Sequence, residues 1–295
     1  MSLVAHAVLF TVFVWWFTTG IIIYLDGLPR PTFAISMTVA TVLVLAAFQG
    51  MASASADTSI AGAYWAFAFA LMAWGWNEMG FLMGIITGPR DTPSPQGARG
   101  FERLAYATQT VLYHEVAIAG TAFGIYAATE GAANQVALQT FALLWVMRLS
   151  AKLNVYLGVP NITEEFLPPH LKYLQTYFRK RPMNALFPVS ITLGTLLSAY
   201  LVMQARLPEA SAFEVTANTL LATLSILAVV EHWFMVLPIP ATALWQWGLK
   251  SHAAHAVGVL VPHPTAAAEP AEVPALPSSI VPFPTPTPAT HRRRP

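Results

Sequence analysis

The chain has 295 residues, of which 56% are hydrophobic and only 10% charged, with a net charge of +1 and a mean hydropathy of +0.55. Soluble domains carry roughly 25% charged residues, so this composition is that of an integral membrane protein. The absence of a basic domain excludes a nucleic-acid partner, and the absence of cysteine excludes disulfides, thiolate metal sites, iron–sulfur clusters and cysteine catalysis.

In chain order, segments long enough to span a bilayer, at roughly 20 residues each, fall at 3–25, 32–54, 60–87, 102–128, 133–157, 186–205 and 212–237. No Lys or Arg precedes the first apolar run and no small-residue cleavage site follows it, so it reads as a membrane helix rather than a signal peptide. Two connecting stretches are expected at the membrane surface. In Pro168–Lys180, Leu171, Leu174 and Phe178 recur at helical spacing among Lys172, Gln175, Arg179 and Lys180, which predicts an amphipathic interfacial helix. In Ala241–Lys250, Trp245 and Trp247 suit the headgroup belt. The expected organisation is one all-α membrane helix bundle over residues 1–250. Residues 251–295, rich in proline and alanine, are read as a disordered cytoplasmic tail.

The connections after spans one, three and five, with the C-terminus, hold twelve Lys and Arg residues, whereas the opposite side holds only Arg206. The positive-inside rule then predicts an N-terminus in the periplasm and a C-terminus in the cytoplasm of a bacterial inner membrane.

Four spans carry ionisable groups inside their apolar runs: Glu78; His114 and Glu115; Arg148 and Lys152; Glu231 and His232. Such groups cost several kcal/mol in hydrocarbon and mark a site, a pathway or a paired network. Counted along the predicted spans at about 1.5 Å per residue, all four sets fall in the cytoplasmic half of the bilayer. Glu78, His114, Glu115, Glu231 and His232 are therefore the expected polar centre, with Arg148 and Lys152 as counter-charges. Neighbours on a helix point about 100° apart, so each adjacent His/Glu pair is expected to send one member to the centre and the other to a neighbouring helix.

Three chemistries fit these residues. The carboxylates and histidines are candidate ligands for iron or zinc, although the Glu-x-x-His spacing of di-iron bundles is missing. A histidine ring nitrogen suits the magnesium of a porphyrin-type pigment, and the site also suits proton handling. The charges alternatively neutralise one another and fix helix packing. Glu164, Glu165 and His170 are read as ordinary solvated residues. Gly75, Gly80 and Gly84 are read as small residues for close helix contact.

The stretches YLDGLPR (24–30), WGWNEMGFLMGIITGPR (74–90), LYHE (112–115), the run from Arg148 to Ser190, and VEHWFMVLPIPATALWQW (230–247) together resemble the photosynthetic complex assembly protein 2 family, also called PuhE-like. The resemblance covers roughly residues 1–250. It implies a membrane factor in purple bacteria that supports assembly of the reaction centre and its antenna, or bacteriochlorophyll supply. The implied partners are reaction-centre or antenna subunits, pigment and membrane lipid. It carries no catalytic residues. The alternative expectation is a membrane-embedded, metal-dependent oxidoreductase acting on a pigment or lipid precursor, with iron as cofactor. A pigment transporter is a third reading, but no inverted repeat supports it.

Overall fold

The computed structural model describes residues 2–162 and 164–252, so the expected disordered tail lies almost wholly outside the described residues. Eight α-helices form the bundle: α1 (Leu3–Asp26), α2 (Pro31–Ala54), α3 (Ile60–Leu82), α4 (Gly100–Gln109), α5 (Leu112–Thr129), α6 (Val136–Leu157), α7 (Leu186–Gln204) and α8 (Ala212–Phe234). Among the described residues five of them, α1, α2, α6, α7 and α8, are long and apolar enough to cross a membrane, and the bent α4–α5 pair meets the same measure when its two helices are taken together, as a broken span or a re-entrant loop. The third predicted span corresponds to α3, which has the length at 23 residues. Its Trp74, Trp76, Asn77 and Glu78 lower its apolarity, and it packs against α1, α2, α5, α6 and α8 at the centre of the bundle.

Helix starts follow local chemistry. Ser2, Ser59 and Ser211 each accept a backbone N–H of the first turn, and Ser211 forms a reciprocal capping box with Glu214. The apolar core is built on Phe67, Phe141, Ile118, Ile125 and Leu224, with the alanines Ala63, Ala66, Ala70 and Ala73 letting α3 approach its neighbours.

Two expected spans are corrected. The third ends at Leu82 rather than 87: Gly84 adopts a left-handed φ of +74°, and Ile85 and Ile86 fold back to donate to the Gly80 carbonyl at 2.9 and 2.8 Å. The fourth is broken at Thr110–Val111 and bent by 64°. The loop leaving α3 fills that break. Gly88 lies so close that a Cβ there would sit 2.0 Å from the Gln109 carbonyl oxygen. The Thr87 carbonyl accepts the His114 N–H at 2.9 Å, serving a donor that the first turn of α5 leaves free.

Both surface stretches also differ from expectation. Pro169–Tyr177 winds as a 3₁₀ helix. At three residues per turn, Leu171, Leu174 and Tyr177 share one face, and that face is buried against the protein beside Phe81 rather than laid on a membrane. Arg103, stacked 4.0 Å over Tyr156, ties α4 to this turn through the Tyr177 carbonyl. The other stretch, Ala241–Trp245 followed by helical residues 246–252, straps along α1. Trp16 donates to the Leu244 carbonyl at 2.8 Å and Trp245 to the Trp16 carbonyl at 2.9 Å. Gly248 sits against the Gly20 backbone. Trp245 is 4% exposed, which makes it a packing residue and not a headgroup anchor.

Candidate polar centre

The charged residues sit toward the end of the bundle at which α1, α3, α6 and α8 finish and α5 begins, here called the basic end after Arg30, Arg90, Arg103 and Arg179. On α6 the outward stripe is Ala142, Val146, Leu149 and Leu153; on α8 it is Ile226, Val230 and Trp233. Arg148 and Glu231 each lie about 130° round the helix from the middle of their stripe. They face into the bundle. Even so, 44% of the Arg148 side chain remains accessible, and Glu231 is likewise open. Both keep accessible surface while bonding inward, Arg148 to Glu78 on α3 and Glu231 to Trp15 on α1.

Glu78 is buried on α3, one turn before its end, and accepts from Arg148 Nη2 at 2.9 Å. Its other oxygen, Oε1, lies 4.0 Å from His114 Nε2. Among the described residues no protein group bonds Glu78 Oε1 or either ring nitrogen of His114. His114 has no exposed surface, and its ring packs on Phe81 with centroids 4.6 Å apart. A porphyrin-type pigment has no approach to His114 in this conformation.

Glu115, the next residue, points elsewhere. It accepts from Lys152 Nζ at 2.7 Å and from Trp145 Nε1 at 3.2 Å. Lys152 lies 5.7 Å from the centre of the Phe81 ring, adding a cation–π contact. Glu231 accepts from Trp15 Nε1 at 2.8 Å and lies in the electrostatic field of Arg148 without bonding it. Six of the seven expected residues are thus gathered into one centre: Glu78, His114, Glu115, Arg148, Lys152 and Glu231.

His232 is not part of it. It donates through Nδ1 to the Ala228 carbonyl at 2.8 Å, and its Nε2 meets Ser150 Oγ at 2.9 Å. Ser150 also bonds Ser190 at 2.9 Å, Asn154 reaches Ser190 at 3.0 Å, and Asn184 bonds Asn154 Oδ1 at 3.1 Å. Asn184 Oδ1 in turn accepts the N–H groups of Leu186 and Phe187, capping α7. His232 therefore belongs to a neutral network joining α6, α7 and α8. Both adjacent pairs are split, as the 100° step requires: His114 from Glu115, and Glu231 from His232.

Among the described residues, no three His, Asp or Glu side chains come together as a metal-ligand set. The carboxylates are taken by other partners: Arg148, Lys152 and the Trp15 indole. Chemically, the centre fixes the relation of α3, α5, α6 and α8 by charge. It also leaves one carboxyl group, Glu231, accessible beside the Trp15 indole.

Sequence reasoning missed the tryptophan donors Trp15 and Trp145 and the polar residues Asn77, Ser150, Asn154, Asn184 and Ser190. Asparagines inside apolar runs were the available signal, because an amide in hydrocarbon needs a partner. Outside the spans, His170 donates to the Leu82 carbonyl at 2.8 Å and so caps α3, and burial holds its pKa below the ordinary value. Glu164 pairs with Lys180 at 2.9 Å. At the end of the strap His252 donates to Asp26 at 2.7 Å, and that bond raises the His252 pKa above its ordinary value.

Comparison with known proteins places this geometry in context. Residues 1–256 match the family described as "Protein of unknown function (DUF3623)". A curated protein of Rhodobacter capsulatus, described as "Uncharacterized 30.4 kDa protein in puhA 5′ region", is 38% identical over 245 residues, covering 82% of this chain and 89% of the relative. No solved structure matches the chain.

Proposed function

This chain belongs to the DUF3623 family, and from that membership we propose that it is an integral-membrane factor for assembly or biogenesis of a bacterial photosynthetic complex. It acts on the reaction centre and its antenna, through a nascent subunit or through bacteriochlorophyll supply. The observation that carries this reading is the location of the 38% identical relative in the puhA region, which supports a photosynthesis-related role and agrees with the PuhE-like motifs. The polar centre supplies the means. Glu231, a carboxyl group inside the bundle to which, among the described residues, the Trp15 indole donates, is the group left to engage a pigment or subunit. The protein lies in the inner membrane with its N-terminus periplasmic and its basic end cytoplasmic, as the charge asymmetry supports.

The test is complex accumulation in a phototrophic host that carries Glu115→Gln or Glu231→Gln. Antenna and reaction-centre absorbance is expected to fall while the protein stays in the membrane at its normal level. Unchanged absorbance in both strains refutes the reading. Because the chain has no cysteine, a single cysteine at exposed Arg99 or Asp57 reports topology. A membrane-impermeant maleimide applied from the periplasm is expected to label only the second.

A further inference from the structure

We propose that a water molecule bridges His114 Nε2 and Glu78 Oε1, so that the polar centre holds ordered water inside the bundle. Three neighbouring side chains carry the argument. His114 is fully buried and no protein atom among the described residues bonds either ring nitrogen; Glu78 Oε1 and Asn77 Oδ1 are buried in the same condition. Buried polar atoms are nearly always bonded, and leaving one without a partner costs about 1–3 kcal/mol. Two of these atoms, His114 Nε2 and Glu78 Oε1, lie 4.0 Å apart, which points to a shared partner other than protein.

Distance and charge select that partner. At 4.0 Å, His114 Nε2 and Glu78 Oε1 are too far apart for a direct bond. A water lying to one side of the line that joins them would be within hydrogen-bond reach of both. Arg148 already balances the charge of Glu78 at 2.9 Å, so Oε1 lacks a donor and not a cation. A neutral imidazole has one nitrogen that donates and one that accepts. Only a small neutral group that both donates and accepts satisfies this set, and water is that group.

On the side of Arg148, which bonds Glu78 at 2.9 Å, 44% of the arginine side chain stays accessible. Toward the far end, Trp74, Phe67 and Phe141 close the core. The inference is independent of the assembly role.

Two measurements on the purified full-length protein decide it. The first is an experimental structure at a resolution that shows ordered water. Density within hydrogen-bond reach of both His114 Nε2 and Glu78 Oε1 is expected. A rotated His114 bonded directly to Glu78, with nothing between them, overturns the proposal. The second is radiolytic hydroxyl footprinting read by mass spectrometry, in which side chains touching bound water are modified despite burial. After correction for intrinsic reactivity, His114 is expected to be modified several-fold faster than Phe67 and Phe141, which are equally buried. Modification of Phe81 is expected to fall when His114→Phe removes the polar partner, and His114→Gln is expected to preserve it. Modification of His114 at the Phe67 rate overturns the proposal.

Discussion

His114 and His232 stand near the same end of one bundle, each beside a glutamate in the chain, yet their surroundings differ in kind. The region around His232 is neutral and closed. Its two nitrogens, Ser150, Ser190, Asn154 and Asn184 form an unbroken set of hydrogen bonds across α6, α7 and α8. The region around His114 is charged and incomplete: Glu78 and Arg148 pair, but the His114 ring finds no protein partner among the described residues. A network with every group satisfied serves packing and costs little to keep. One that holds charge, open surface and unsatisfied atoms is costly to maintain and marks the place to look for function. Sequence spacing alone ranks the two histidines equally.

The most severe way to break this contrast is Glu78→Leu. It strands Arg148 without its bonded counter-ion; because 44% of the Arg148 side chain is accessible, the cost lies below the ~3–5 kcal/mol of a fully buried pair. Monodisperse protein recovered by size-exclusion chromatography is expected to be largely lost, and to return when Arg148→Met is added. Full recovery of the single variant would show that the pair contributes nothing to folding. Next in size is Gly88→Ala. Its methyl would meet the Gln109 carbonyl at 2.0 Å, so the loop must leave the α4–α5 break and release the His114 N–H. Overpacking of this kind costs about 1–3 kcal/mol, read as a lowered midpoint of thermal unfolding in detergent.

Ser150→Ala sharpens the comparison from the neutral side. It removes one interhelical hydrogen bond to His232 and another to Ser190, and such bonds in membrane proteins average about 0.6 kcal/mol and reach about 1.7. A small fall in thermal midpoint is expected, with photosynthetic absorbance per molecule of protein unchanged. A selective loss of absorbance would move function toward His232.

The smallest effect concerns the strap. His252 has a raised pKa in the folded protein because it donates to Asp26. A raised value means that its protonated form stabilises docking fully below the ordinary histidine value, about 6.5. That contribution is lost as pH climbs through the raised value. A cysteine replacing buried Ser251 is therefore expected to react faster with maleimide as pH rises through this window, after normalisation to a cysteine at exposed Arg99. A flat ratio would show that the strap is held by its tryptophans alone.

Composition and spacing by themselves determined that this is a helical membrane protein and roughly where its helices lie, and they placed seven ionisable groups in one layer without separating His232 from the other six. These follow from local causes: apolar length sets a span, and the 3.6-residue turn sets which neighbours part company. Tertiary structure alone decided the rest. The break between Gln109 and Leu112 depends on a loop arriving from α3, with Gly88 seated against it. The burial of Trp245 depends on α1, which lies more than two hundred residues earlier in the chain. Among the described residues the His114 ring is left without a protein partner while His232 reaches Ser150 on α6, because such partners come from whichever helices pack against a side chain, and no spacing within one helix encodes them.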